Sequence, residues 1–479
     1  MAAPYPPVKM YIDGTWTDGS SGAAETILNP ATDETLGTVP HATVADLDRA
    51  LQAAQKGFAL WRDTPVETRT SSLRRAAALL RQRAPDIAQI MTLEQGKPRG
   101  EALGEATRVA AAIEWDAEEG RRAYGRIIPM DRSMQLSVLR QPVGPVAAFT
   151  PWNFPVGSPN RKIAAALAAG CSIIIKASEE VPGTACALVR CYEEAGVPAG
   201  VLNLVFGAPA AVSSHLIASP IIRFVAFTGS IPVGKQLASL AGSHMKPHIM
   251  ELGGHAPVIV CADADPVAAA RSCAAGKFIN AGQVCTSASR FIVHESIYDR
   301  FVQAFADVAK STVVGDGLDA KTKMGPLANA RRLDAVQGLV DDAVSRGSRL
   351  VFGGHRIGTR GNFFEPTVLG DVPEAARIMH IEPFGPVAPV VRFQHLDEAI
   401  NLANSLPYGL AAYAFTQSAA IAEEIIHRLE AGILSINHVG GSIHEAPSGG
   451  WKESGYGREG GIEGLDGYMV TKRVAHKLR

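Results

Sequence analysis

Among the residues able to do covalent chemistry, Cys285 leads, in the stretch KFINAGQVCTS from Lys277 to Ser287. A free cysteine is ordinarily a small buried hydrophobe. As a thiolate it attacks carbonyl carbon and can collapse to a thioester. Such a nucleophile needs a base and an oxyanion donor. Glu251, in MELGGHAP, is flanked by Met250 and Leu252 and followed by Gly253 and Gly254, which permit close backbone approach. That setting suits a general base better than a solvated surface carboxylate. Asn153, in PWNFP, lies between Trp152 and Phe154 in a loop stiffened by prolines. An amide held rigidly can donate to a developing oxyanion. A turn asparagine, a surface glutamate and a core thiol would each be unremarkable alone; together they describe one reaction.

Two further stretches could hold a ligand. FTGSIPVGKQ has Gly229, Gly234 and Lys235 at the spacing of a triphosphate-binding loop, but Gln236 stands where Ser or Thr must hold magnesium. It is no G-x-G-x-x-G fingerprint either. What remains is a strand end, the Gly229–Ser230 turn and a helix start, which can point backbone N–H groups at a phosphate or be an ordinary turn. IIIKASEE puts Lys176 and Glu179 just beyond a buried strand, where ligands of open α/β sheets bind. A lysine bonds a ribose hydroxyl or a 2′-phosphate, whereas a carboxylate prefers the diol. Two solvated loop charges are the plain alternative.

The elements that must position these residues fall into two textures. Thr43 and Asp46 form a capping-box pattern ahead of Leu47, Leu51, Ala54, Phe58 and Trp61, which share one helical face. A second helical tract runs from Thr68 to Gly96 and a third covers Pro98 to Arg122. From residue 143, short apolar runs alternate with Ala-rich helical stretches: VGPVAAFT, CSIIIKAS, VLNLVFG and RFVAFTGS. Runs buried on both faces are the mark of parallel strands, so βαβ units in a doubly wound α/β fold are expected. The pattern restarts after ELGGHAPVIV with SRFIVH, GNFFEPTVL, VAPVVRF and GILSIN, which predicts two stacked Rossmann-like domains. The tail GYMVTKRVAHKL reads as an edge strand, one able to complete a sheet in a partner subunit.

Composition narrows the class. The 479 residues are 47% hydrophobic and 19% charged, with a formal charge of −1. Such a balance gives no footprint for nucleic acid or a polybasic membrane contact. No apolar run is long enough to span a bilayer, and MAAPYPPVKMYIDGTW lacks a signal-peptide pattern. The six cysteines show no C-x-x-C pair, which points to free thiols in a reducing cytoplasm. No metal site is expected, because Pro247 between His244 and His248 works against the helix that would align them.

PWNFP, FTGS, ELGG, GQVC, EPFGPV and GGWKESGYGREGG, in this order over nearly the whole chain, resemble the aldehyde dehydrogenase superfamily. The resemblance implies oxidation of an aldehyde to an acid with NAD or NADP. Cys285 would form the thiohemiacetal and thioester, Asn153 and the Cys285 N–H would hold the oxyanion, and Glu251 would activate water. Glu382 would bind the nicotinamide ribose with Phe384 beside it. Lys176 and Glu179 would meet the adenosine ribose, Ser230 the pyrophosphate, and Trp152 and Gly229 would complete the coenzyme site. Architecture follows: a coenzyme domain of residues 1–122 and 143–252, a catalytic domain of 253–445, and a small β oligomerisation element of 123–142 and 458–479, in a homodimer or homotetramer. Three departures stand out: Ala177 in KASE for proline, Ser448 in PSGG for phenylalanine, and His255 in ELGGH for lysine.

IEWDAEEGRRAYGRIIP, ASLAGSHMKPHIMELGGHAPVIV and LANARRL are most similar to the succinate-semialdehyde and α-ketoglutaric-semialdehyde branch, whose members hold a distal carboxylate with two arginines and a serine. Arg161 matches one arginine and Ser442 the serine, but the second arginine position holds Ile279. Losing such a contact costs about 2–5 kcal/mol when the anion stays buried. An acidic semialdehyde therefore competes with an apolar or aromatic aldehyde, for which Ile279, Ser448 and Trp451 would line the pocket. A CoA-acylating enzyme would have less use for Glu251, and a non-catalytic binder less use for the whole set.

Overall fold

The computed structural model describes residues 5–440 and 443–478. The capping box forms as expected: Asp46 N–H donates to Thr43 Oγ1 and Thr43 N–H to Asp46 Oδ2. The helix behind it, Val44–Arg62, buries Leu47, Leu51, Ala54 and Trp61. The second tract forms Val66–Gln95, with Pro85 inside it, and the third forms Arg99–Arg121.

Among the described residues the first sheet runs Thr15–Thr17, Met10–Ile12, Leu202–Val205, Ile173–Lys176, Val146–Phe149, Phe224–Gly229, His248–Leu252 and Gly455–Tyr456. Its centre is parallel. The second sheet runs Arg349–Phe352, Thr367–Gly370, Val387–Phe393, Ala288–His294, Ala256–Val260, Ala411–Phe415 and Ile433–Ile436, and is again parallel except at one edge. Continuous Val/Ile runs bury both faces, so each sheet carries its own core with helices against it. The expected doubly wound α/β architecture is what forms.

The chain returns to the first sheet after the second is built. Gly455 lies beside Glu251 in antiparallel register. Its φ is +110°, and a Cβ there would come within 1.9 Å of the Met250 carbonyl oxygen, so only glycine fits. Leu465 and Tyr468 join the first core. The tail strand Met469–Lys477 then pairs with Met134–Pro142 at the edge of a three-stranded sheet. Among the described residues no helix is long and apolar enough to cross a membrane.

Candidate active site

The carboxyl ends of the first sheet's parallel strands gather the expected ligand-binding residues. Lys176 closes its strand, and its Nζ lies 2.6 Å from Glu179 Oε2. Glu179 Oε1 accepts the Gly207 N–H at 3.0 Å, so the carboxylate is fixed between two strand ends. Gly229 ends the next strand, and Ser230 is the N-cap of the helix Ile231–Ser243 without using its hydroxyl as a cap. That helix terminus presents unpaired N–H groups and the positive end of a dipole. Thr150 Oγ1 is buried at the same edge with no hydrogen-bond partner. An amine, a carboxylate, hydroxyls and a helix N-terminus are a donor and acceptor set that fits a sugar–phosphate group.

Glu382 and Phe384 come from the second half of the chain. Phe384 meets Trp152 edge-on, with ring centroids 5.6 Å apart, and adopts φ +41°. Burial pushes the Glu382 carboxyl up to about 8, although the Gly254 N–H, Arg332 and Lys277 oppose it. A Cβ on Gly253 would approach Glu382 Oε2 to 2.5 Å, so the glycine makes room for that carboxyl. Arg332 and buried Lys277 belong to this neighbourhood too. Arg332 donates to the Pro383 carbonyl at 2.7 Å.

The loop carrying Cys285 leaves the helix Pro266–Phe278 through an unusual backbone. Asn280, Ala281 and Gly282 all have positive φ, of 49°, 53° and 73°. Left-handed geometry costs an L-residue about 1–2 kcal/mol, and here a polar web holds it. Asn280 N–H donates to Glu101 Oε2, its Oδ1 accepts from Gln95, and its Nδ2 donates to the Asn153 carbonyl. Asn153 is seated by the same web. Its carbonyl also accepts from Lys97 Nζ at 2.9 Å, and its Nδ2 donates to the Gln283 carbonyl at 3.1 Å. Lys97 pairs with Glu105, whose other oxygen accepts the Val156 and Gly157 N–H groups. Glu105 thereby caps the helix Gly157–Ala169, which has no side-chain cap of its own.

Cys285 and Glu251 are both half-buried, open to small molecules yet largely walled by protein. Burial pushes the Cys285 thiol up to about 12, with Glu251 and Glu382 adding to the rise; Arg161 and the Thr286 N–H oppose it. Burial would raise Glu251 as well, but Arg161, Lys162, Glu459 and Ser448 together hold it below the usual carboxylate value. Ser448 Oγ donates to Glu251 Oε1 at 2.9 Å. Behind Glu251 lies a buried ion pair: Lys162 Nζ is 2.5 Å from both Glu459 Oε1 and Thr228 Oγ1. Thr228 is the strand neighbour of Glu251, opposite Gly455. A half-buried thiol, a charged carboxylate and a seated amide are a set with the chemistry for acyl transfer.

Arg161 follows on the same helix. Burial works against its charge, but Glu251, Glu459, Cys285 and Asp116 more than offset this. Ile279 is 46% exposed beside the strained loop. Ser442 lies outside the described residues. Trp451 pairs with Gly409 in a short ribbon, and His255 is buried with its Nε2 2.8 Å from the Ile378 carbonyl oxygen.

Lys162, Glu459 and Asn280 have roles here that their residue types and spacing do not announce. One signal was there for Lys162: RKIAAALAAG is apolar nearly all round, so a lysine within it must be buried and paired. Glu459 lies inside GREGG, where nothing local marks the carboxyl as buried.

Residues 16–474 match the profile of the aldehyde dehydrogenase family. The chain is 47% identical over 465 residues to a 4-(hydroxymethyl)benzenesulfonate dehydrogenase of Comamonas testosteroni, covering 97% of each chain. It is 41% identical over 462 residues to the succinate-semialdehyde dehydrogenase [NADP(+)] of Escherichia coli K12, covering 96% of each. The crystal structure of a succinate-semialdehyde dehydrogenase from Burkholderia pseudomallei superposes with a TM-score of 0.97 at 40% identity, covering 98% of each chain.

Proposed function

The chain belongs to the aldehyde dehydrogenase family, and from that premise we propose that it oxidises, with NAD⁺ or NADP⁺, an aldehyde bearing a distal acidic group. The observation that carries this reading is Arg161, a charged guanidinium close enough to Cys285 to act on its thiol. An arginine is the side chain best suited to hold a carboxylate or sulfonate while the aldehyde end faces the nucleophile. Relatives named for a benzenesulfonate and for succinate semialdehyde support the same substrate charge.

In this reading Cys285 Sγ attacks the aldehyde carbon to give a thiohemiacetal. Asn153 Nδ2 and the Cys285 backbone N–H donate to its oxyanion. The resting thiol is protonated, so attack needs a base, and Glu251 is held charged by Arg161 and Lys162 to serve as one. The coenzyme, when bound, supplies the acceptor for the aldehyde hydride. Lys176, Glu179, Gly229 and Ser230 would hold its adenosine and pyrophosphate, and Glu382, Phe384 and Trp152 its nicotinamide end. Cys285 is left as a thioester. Glu251 next releases to solvent the proton it took from the thiol, then takes a proton from water as the water oxygen attacks the thioester carbon, and returns that proton to the departing sulfur as the acid leaves. Residues 123–142 and 458–479 are assigned to subunit contact, a role that suits the exposed Tyr124, Ile127 and Val470.

The test is kcat/KM on matched pairs: succinate semialdehyde against butanal, and 4-carboxybenzaldehyde against benzaldehyde. The acidic member should lead by roughly 30-fold, the equivalent of about 2 kcal/mol. Preference for the neutral members would refute an acidic substrate, and no reduced coenzyme from any aldehyde would refute the activity.

Ile279 favours a second reading, an apolar or aromatic aldehyde that lies against the isoleucine. Restoring a cation there by Ile279→Arg should raise the succinate semialdehyde to benzaldehyde ratio of kcat/KM by about 30-fold. An unchanged ratio would show that position 279 does not set specificity.

A further inference from the structure

Ser448 stands where the resemblance leads one to expect phenylalanine, and its hydroxyl reaches the carboxylate assigned as the base. The bond from Ser448 Oγ to Glu251 Oε1 measures 2.9 Å. The backbone around it is fixed by an isolated antiparallel bridge: Ser448 N–H donates to the Glu459 carbonyl and Glu459 N–H to the Ser448 carbonyl, each at 2.8 Å. The bridge holds both the hydroxyl and the second carboxyl, Glu459, against Glu251.

We propose that Ser448 is a positioning residue for Glu251, holding the carboxylate in one orientation and in its charged form for the water that resolves the acyl-enzyme. The proposal rests on the base role assigned to Glu251 above.

The charge balance at Glu251 explains why a neutral donor is useful there. Arg161 and Lys162 face it from the helix Gly157–Ala169, Cys285 from the nucleophile loop, and Glu459 from the C-terminal segment. Lys162 is already engaged by Glu459 and Thr228. Burial disfavours ionisation of Glu251. A serine hydroxyl offsets this by donating to the charged form and adds no charge of its own beside the thiol. Phenylalanine at the same position would offer no donor.

The experiment compares Ser448→Ala, Ser448→Thr and Glu251→Gln in the full-length enzyme with saturating coenzyme and aldehyde. It follows kcat from pH 5 to 9 and the decay of acylated Cys285 by rapid-quench intact mass. Removing a donor from the ionised form raises the carboxyl pKa, so the acid limb of kcat in Ser448→Ala should move up by about one pH unit. Acyl-enzyme decay near pH 6 should slow about tenfold, and Ser448→Thr, which keeps the donor, should restore both. If Glu251→Gln stalls while Ser448→Ala keeps the wild-type profile, the serine proposal fails alone. It also fails if Ser448→Thr is as impaired as Ser448→Ala. A Glu251→Gln enzyme that resolves its acyl intermediate at the wild-type rate overturns the base assignment and the serine proposal with it.

Discussion

Replacing Cys285 by alanine will lower aldehyde oxidation by at least about 10⁴-fold, because the covalent route has no other nucleophile. The other free cysteines are buried, so none of them can substitute. Coenzyme binding and the thermal midpoint should change little, since a half-buried thiol gives way to a methyl group. Turnover within tenfold of wild type would remove Cys285 from the chemistry. The thiol itself offers a check on its surroundings. With its pKa pushed up to about 12 by burial and by Glu251 and Glu382, the resting protein holds little thiolate at neutral pH. Its alkylation by iodoacetamide should rise about tenfold per pH unit between pH 7 and 9. A rate that levels off below pH 8 would mean the resting site already stabilises the thiolate.

Lys162→Met is expected to be the most damaging single change to stability away from the sheets' apolar cores. Lys162 and Glu459 have side chains 0% and 3% exposed. Removing one partner of such a pair costs about 3–5 kcal/mol, because the other charge remains buried. The loss should depend on pH in a defined direction. Burial raises the Glu459 carboxyl, Lys162 opposes this, and Glu251 adds to the rise. Without the lysine the folded-state pKa moves further up. An acid whose folded pKa lies above its unfolded value contributes stability at low pH and loses it as pH rises through the folded pKa. The deficit in the urea midpoint, relative to wild type, should therefore be smaller at pH 5.5 than at pH 8.5. A deficit equal at both would show that the charge of Glu459 is not what the variant exposes.

The legible parts of this protein are those whose signal is local. The runs CSIIIKAS and RFVAFTGS announced buried parallel strands because the side chains at their centres, Ile173–Ile175 and Phe224–Phe227, are continuously apolar, and strands formed there. Thr43 and Asp46 announced a helix start because both halves of the capping box lie within four residues. Cys285, Glu251 and Asn153 were legible as types with a chemical use. Their supports were not. Ser448 reaches Glu251 and Lys162 reaches Glu459 across hundreds of residues, and no periodicity relates such positions. The left-handed backbone at Asn280 and Ala281 was hidden for a different reason. Neither residue is glycine, and the bonds that hold Asn280 there, with Gln95, Glu101 and the Asn153 carbonyl, come from distant segments.

A ribosome makes the central strands of the first sheet long before residues 448–459 exist. While synthesis continues, Lys162 lacks Glu459, and the first core lacks Leu465 and Tyr468. The edge strand His248–Leu252 meanwhile waits, unpaired on one side, for Gly455–Tyr456. An open strand edge is where nascent chains associate wrongly. The same order of manufacture withholds the hydroxyl of Ser448 and the carboxyl of Glu459 from Glu251 until nearly two hundred further residues have been made. A polypeptide released early would carry the Cys285 thiol and the parallel strands of both sheets, but Glu251 would lie in an unfinished setting.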